Sequence, residues 1–198
     1  MPFEYLCVSA LGFLLGGILF SYHLPKIIKG VDVTRESWDH NPGAANAMKL
    51  AGVPVGLVCL AADILKGFLP VRVGMNALNV ESAWFAMVLT APAWGHASGL
   101  FYRKPGGKAI AVSFGVLLAL VPVSEAFWVL AGAYILFSTA LPIRAHERKT
   151  VCSFAVLLLW SILFEGKRRL SVALGSAAIS MIVMWKNRNS REEICPET

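Results

Sequence analysis

The stretch Ala109-Ile-Ala-Val-Ser-Phe-Gly-Val-Leu-Leu-Ala-Leu-Val-Pro122-Val-Ser124-Glu125-Ala-Phe-Trp-Val-Leu-Ala-Gly-Ala-Tyr-Ile-Leu-Phe-Ser-Thr-Ala-Leu-Pro-Ile143 is a 35-residue apolar run with a single polar interruption near its middle. One helix crosses the ~30 Å hydrocarbon layer in ~20 residues, so this run is too long for one crossing. Pro122, Ser124 and Glu125 supply the turn that splits it into a hairpin of two helices. Working outward, the same punctuation by charge, Gly and Pro divides the chain into seven apolar spans. They are Phe3–Tyr22, Leu50–Leu69, Ala83–Leu100, Ala109–Ser124, Ala126–Ile143, Val151–Phe164 and Leu170–Trp185. The sixth is only 14 residues long, which makes it the least secure crossing.

Composition agrees. Of 198 residues, 57% are hydrophobic and 15% charged, with mean hydropathy +0.64. A soluble domain averages ~45–50% apolar and ~25% charged residues, so the surplus here must face lipid. The reading is an all-α polytopic membrane protein of about seven transmembrane helices, forming a single domain over residues 1–198. Cys7, Cys59, Cys152 and Cys195 are scattered, which excludes a disulfide scaffold, and no Cys/His cluster suggests a metal site. The first span has Glu4 where the basic segment of a signal peptide belongs, so it reads as a retained helix.

Seven crossings put the termini on opposite sides, and Lys and Arg choose the orientation. With the N-terminus outside and the C-terminus cytoplasmic, 13 of 18 basic residues face the cytoplasm. The cluster Lys167-Arg168-Arg169 is the exception, on the outer side with Lys66 and Arg72. The net charge of +6 is therefore either an orientation signal, an anion-binding signal, or both.

Two cytoplasmic loops carry the chemistry. In the first, Asn41-Pro42-Gly43-Ala44-Ala45-Asn46 reads as a helix start, with Asn41 as the cap and Pro42 at the first helical position. The small residues that follow leave backbone amides open to an anion, and Asn46 and Lys49 share the adjacent face. An ordinary capped helix start fits the same letters, with Asp39 and His40 solvated. In the second loop, Lys104-Pro105-Gly106-Gly107-Lys108 places a Gly pair between bases at a helix start. Gly106 and Gly107 permit close approach of an oxyanion, and Lys104 and Lys108 add charge. A basic interfacial turn is the plain alternative, and the spacing is not that of a Walker A loop. His96 lies at the cytoplasmic end of the third span, either hydrogen-bonded to a neighbour or functional. Asp63 and Lys66, on one face of the second span, read as a local ion pair with the lysine reaching outward, distant from these loops.

At these residues the chain resembles the bacterial membrane-embedded acyl-phosphate:glycerol-3-phosphate acyltransferases. The first block is Gly30-Val31-Asp32 followed by Asp39-His40-Asn41-Pro42-Gly43-Ala44-Ala45-Asn46-Ala47-Met48-Lys49. The second is Asp63-Ile64-Leu65-Lys66-Gly67-Phe68-Leu69-Pro70. Gly95-His96 and Gly106-Gly107-Lys108-Ala109-Ile110-Ala111-Val112-Ser113-Phe114-Gly115-Val116-Leu117 complete an ordered set. The resemblance implies transfer of a fatty acyl group from acyl phosphate to the 1-hydroxyl of glycerol 3-phosphate, giving lysophosphatidate for phospholipid synthesis. It implies no cofactor, no nucleic acid, and a multi-pass protein of the bacterial plasma membrane with its active face cytoplasmic. Carried onto this sequence, it assigns substrate phosphate to Asn41, Gly43, Asn46, Lys49, Lys104, Gly106, Gly107 and Lys108. His96 takes a hydrogen-bonding or proton-transfer role, and Asp39 stands as a base where the family has serine.

The chain departs from the family pattern at several points. Asp39 and His40 replace serine and glycine, Lys49 replaces arginine, and Pro105 replaces a lysine. Ser37 is the nearest hydroxyl to the one lost. The family's third motif, near the C-terminus, is degraded to Asn187-Arg188-Asn189-Ser190-Arg191. These changes admit a second reading, a divergent or catalytically impaired paralogue that binds or transports an anionic solute.

Overall fold

A computed structural model describes residues 2–102 and 106–188. It is all-helical among those residues. The first span is two helices, α1 (Pro2–Gly17) and α2 (Phe20–Lys29), separated by a break at Ile18 and Leu19. A short turn of helix, α3 (Val33–Glu36), is capped by Asp32, whose carboxylate accepts from the Thr34 N–H at 3.1 Å. α4 (Ala44–Ala51) leads through Gly52, at φ 94°, into α5 (Val53–Ala77) with Pro54 in its first turn. α6 (Phe85–Ser98), α7 (Ile110–Ala119), α8 (Ala126–Ser138), α9 (His146–Leu163), a 3-10 turn (Glu165–Lys167) and α10 (Leu170–Asn187) follow.

The division of Ala109–Ile143 into two helices is present. α7 ends at Ala119, and α8 begins after Ser124, whose hydroxyl accepts from the Ala126 N–H at 3.2 Å. The sixth span differs from expectation in the opposite direction from the doubt attached to it. Its polar leader His146-Glu147-Arg148-Lys149 winds into the helix, so that His146–Lys167 forms one of four candidate spans long and apolar enough to cross a membrane. The others are Pro2–Lys29, Val53–Ala77 and Leu170–Asn187. α7 and α8, at 10 and 13 residues, are the short ones.

Close helix contact is made through glycine. A Cβ on Gly16 would strike the Pro92 carbonyl, and one on Gly95 would strike that of Phe13, so α1 and α6 meet backbone to backbone. Gly67 lies against the Val112 carbonyl and Gly115 against that of Ile64, joining α5 to α7 in the same way. Many large apolar side chains instead point outward: Leu57, Leu65, Leu69, Trp128, Ile135, Leu159, Ile162 and Met181 are all exposed. Polar groups are drawn inward, with Asp63, Lys66 and His96 buried. This inverted pattern is what a lipid solvent selects.

Loops gather at two ends of the bundle. Residues 39–46, 96–97, 107–108, 147 and 186 touch one another at one end. At the other, Arg169 reaches Glu81 and the Val123 carbonyl, Arg168 reaches Glu125, and the Tyr5 hydroxyl donates to the Asn79 carbonyl. α5, ~37 Å long at 1.5 Å per residue, runs from the first group to the second.

Gly115→Val should lower the thermal midpoint in detergent, at a cost of about 1–3 kcal/mol, because its Cβ has only the α5 backbone to displace. Gly132→Ala, in open space on α8, should leave the midpoint unchanged or raise it.

Candidate active site

The loop after α3 is organised around one carboxylate. Asp39 Oδ1 accepts from the Asn41 N–H at 3.2 Å and from Asn46 Nδ2 at 2.8 Å, while Nδ2 also donates to the Asn41 carbonyl at 2.9 Å. His40 takes a left-handed φ of 50°, with its Nδ1 3.0 Å from the Thr34 carbonyl. These bonds hold residues 41–43 outside the helix. Gly43 is extended (φ −116°, ψ 153°), and α4 starts at Ala44 with no side-chain cap. The expected start at Pro42 is therefore displaced by two residues, and Asn41 structures the loop rather than capping a helix. Gly43, Ala44 and Ala45 line a cavity.

The second loop approaches from α6. Gly99 (φ 64°) ends that helix, and Tyr102 is tied back by its N–H to the Gly99 carbonyl at 2.8 Å. Lys104 lies outside the described residues. Gly106 and Gly107 do not line the cavity; they pack against the end of α6. The Gly107 N–H donates to the His96 carbonyl at 3.1 Å, and a Cβ on Gly106 would strike the carbonyls of His96 and Ala97. Their missing side chains admit a neighbouring helix, so the expectation that they cradle an oxyanion is corrected. The cavity wall from this loop begins one step later, with Lys108 and with Ala109, Ile110 and Ala111 at the start of α7, Ala109 being at φ 59°.

The cavity between the two loops has a volume of about 540 Å³. The openings of α4 and α7 both face it, with Lys49 and Lys108 in its wall and Lys49 exposed at the rim. At its inner end, Leu60 and Ile64 of α5 and Phe114 of α7 make an apolar slot. The cavity thus combines two helix starts and two lysines with apolar side chains.

Lys108 is the electrostatic centre. Its Nζ lies 2.9 Å from Asp39 Oδ2 and 3.2 Å from Glu147 Oε1, and 6.0 Å from the Trp38 ring centroid. Burial pushes the Asp39 carboxyl up, but the hydrogen bond and charge of Lys108, with the Asn46 and Asn41 donors, outweigh it and hold the group below the usual aspartate value. Asp39 is thus ionised at neutral pH and is a weaker base than a free carboxylate.

The floor holds the largest departure from expectation. Asp63 lines the cavity instead of lying away from it. Lys66 does not reach outward: it is 3% exposed and ion-paired to Asp63 Oδ1 at 2.8 Å, and it donates to the Ile18 carbonyl at 2.5 Å. His96 Nδ1 lies 2.8 Å from the same Nζ. Sequence reasoning also missed His146 and Glu147, which line the cavity from the start of α9. The sequence-based topology, which assigned them to the same side as both loops, was the only available signal. Ser37 is buried but is not part of the wall.

A model of the glycerol-3-phosphate acyltransferase family matches residues 6–196. The chain belongs to that family. Glycerol-3-phosphate acyltransferase of Myxococcus xanthus is 31% identical over 180 residues, covering 91% of this chain and 90% of that protein. The second glycerol-3-phosphate acyltransferase of Thermotoga maritima is 38% identical over 110 residues, and that alignment spans only 56% of this chain and 55% of the relative. Crystal structures of PlsY, an integral membrane glycerol 3-phosphate acyltransferase, share the fold. Its glycerol 3-phosphate form superposes with a TM-score of 0.80 at 24% identity, covering 93% of this chain and 88% of that one. The lysophosphatidic acid form gives 0.75 at 25% identity over the same shares. The multi-pass membrane architecture of the family accounts for the inverted distribution of polar and apolar side chains described above.

In this family member, Lys108→Met should release Asp39 from its partner while leaving it buried. The carboxyl should then titrate above its wild-type position, measurable by carbon-detected NMR of aspartate-labelled protein. An unchanged titration would show that Lys108 does not govern it.

Proposed function

We propose that this chain transfers a fatty acyl group from acyl phosphate to the 1-hydroxyl of glycerol 3-phosphate, releasing inorganic phosphate and lysophosphatidate. The observation that carries this reading is the single cavity in which two helix openings and Lys108 adjoin an apolar slot between α5 and α7. A mixed anhydride is already activated, so the protein's task is to position two anionic heads and stabilise charge on the carbonyl. The acceptor oxygen bonds to the acyl carbon, the carbon–oxygen bond to phosphate breaks, and the hydroxyl proton leaves on the released phosphate. The openings of α4 and α7 bind the phosphates, and Lys49 and Lys108 neutralise them. Asp39, held by Lys108, orients the acceptor hydroxyl. Its depressed acidity range argues against assigning it the proton.

We assign the protein seven crossings, with the N-terminus outside and the site on the cytoplasmic face of a bacterial plasma membrane. Support comes from the two loop clusters at the ends of α5 and from the 13 of 18 Lys and Arg residues that this arrangement places inside. The short α7 and α8 cross as a hairpin extended by their flanking turns.

One observation favours a second reading. Lys108 is held by two carboxylates, Asp39 and Glu147, which compete with any phosphate for it. A protein that binds the anion without turning it over would share this feature.

Purified protein given palmitoyl phosphate and glycerol 3-phosphate should release phosphate, and Lys108→Ala should reduce kcat/KM about a hundredfold or more. Release no faster than in Lys108→Ala, with glycerol 3-phosphate still bound, would establish the binding protein instead. In a cysteine-free background, an impermeant maleimide should label Lys167→Cys in intact cells and spare Arg35→Cys, both positions being exposed. The opposite pattern would reverse the topology.

A further inference from the structure

Beneath the cavity, four elements converge on one ammonium group. Ile18 lies at the break between α1 and α2, Ser21 is on α2, Asp63 and Lys66 are on α5, and His96 is on α6. The Ser21 hydroxyl donates to Asp63 Oδ2 at 2.9 Å, and Asp63 Oδ1 pairs with Lys66 Nζ at 2.8 Å. Nζ also meets the Ile18 carbonyl at 2.5 Å and His96 Nδ1 at 2.8 Å. An ammonium donates and has no lone pair; here it is ion-paired to Asp63 and has the Ile18 carbonyl and His96 Nδ1 within hydrogen-bond distance. Deprotonating Lys66 instead would leave the buried Asp63 carboxylate without its counter-charge. His96 Nδ1 must therefore present its lone pair, which leaves the ring proton on Nε2.

Nε2 is the end of the ring that faces the second loop. It is the atom that a Cβ on Gly107 would meet first, while the Gly107 N–H is bonded to the His96 carbonyl at 3.1 Å. His96 lines the cavity next to Lys108 and Ala109.

We propose that Lys66 is a positioning residue that fixes His96 as a neutral imidazole with an Nε2–H donor beside the Gly107–Lys108 segment. His96 then serves this cavity by donating a hydrogen bond to an anionic oxygen and does not accept a proton. Asp63 and Ser21 hold Lys66 charged and in place. The role of the donor rests on the acyl-transfer reading, whereas the ring's protonation state does not depend on it.

The test uses full-length protein in detergent with 15N-labelled histidine, His96 being assigned by its loss in His96→Gln. Wild type should show His96 as the Nε2–H tautomer with a bare Nδ1. The paired substitution Lys66→Met with Asp63→Asn removes both charges together, so that no buried ion is orphaned. In that variant the His96 signal should shift to a mixture of tautomers, and kcat for acyl transfer should fall about tenfold or more with KM for glycerol 3-phosphate little changed. An Nδ1–H or doubly protonated His96 in wild type would overturn the proposal. So would an unchanged Nε2–H signal in the paired variant, or a rise in KM alone. Where wild type shows the tautomer lock but releases no phosphate, the acyl-transfer reading fails and the assignment of Lys66 stands.

Discussion

The arrangement depends on where the hydrogens of Lys66 go. A charged amine inside a helix bundle is stable only if paired and fully hydrogen-bonded, and removing one partner of such a pair costs about 3–5 kcal/mol. Lys66 is ion-paired to Asp63 on its own helix and hydrogen-bonds to His96 on α6 and to the Ile18 carbonyl at the break in the first span. The break is possible for the same reason. Unwinding a membrane helix frees backbone groups that lipid cannot satisfy. Here the Ile18 carbonyl is taken by Lys66, and the Leu19 N–H is taken by the Tyr102 hydroxyl at 3.2 Å. The interrupted helix, the cavity floor and the loop after α6 are consequently one structure, and none of the three is stable in this form without the others.

A second constraint sits above the first. Lys108 joins the loop before α4, the start of α7 and the start of α9 through Asp39 and Glu147. These are partly accessible groups, so their attraction is moderated by water and is weaker than that of the floor. That difference suits their positions. Under the proposed function, the floor stays fixed while a ligand comes and goes, and the groups around Lys108 exchange a carboxylate partner for a phosphate. Placing the rigid pair under the site and the exchangeable one at its mouth separates holding the fold from binding the ligand.

Much of this was legible in the sequence because lipid imposes a strong filter. The break at Pro122–Glu125 follows from apolar run length, and the pairing of Asp63 with Lys66 follows from their spacing on one helix face, although the lysine was expected to reach outward and is buried. The convergence of Asn46 and Lys108 on Asp39 and on one cavity is consistent with assigning the two loops to one face. What was not legible concerns which neighbour a residue serves. A Gly pair permits close approach of a ligand or of another helix with equal ease, and only the packing of Gly106 and Gly107 on α6 decides between them. Helical spacing showed that Asp63 and Lys66 share a face, but it carried no information about the broken helix that Lys66 reaches. Nothing in the local sequence of His146 and Glu147 distinguished a cavity wall from a solvated helix start.

The replacement of the family's serine by Asp39 acquires a physical meaning in this setting. A carboxylate beside two helix openings would repel phosphate if it stood alone, since like charges in a partly desolvated site cost several kcal/mol at ~4 Å separation. It does not stand alone. Asp39 faces Lys108 and the amide of Asn46, both of which favour its ionised form, and Lys49 adds a further cation in the same wall. The substitution therefore exchanges a neutral hydrogen-bonding hydroxyl for an ion-paired acceptor, so that the incoming head group must compete for Lys108 with a charge that the protein itself supplies. Tolerance of that charge depends on Lys108 more than on any residue of the first loop, which makes the start of α7 the element to which the chemistry of the whole site is tied.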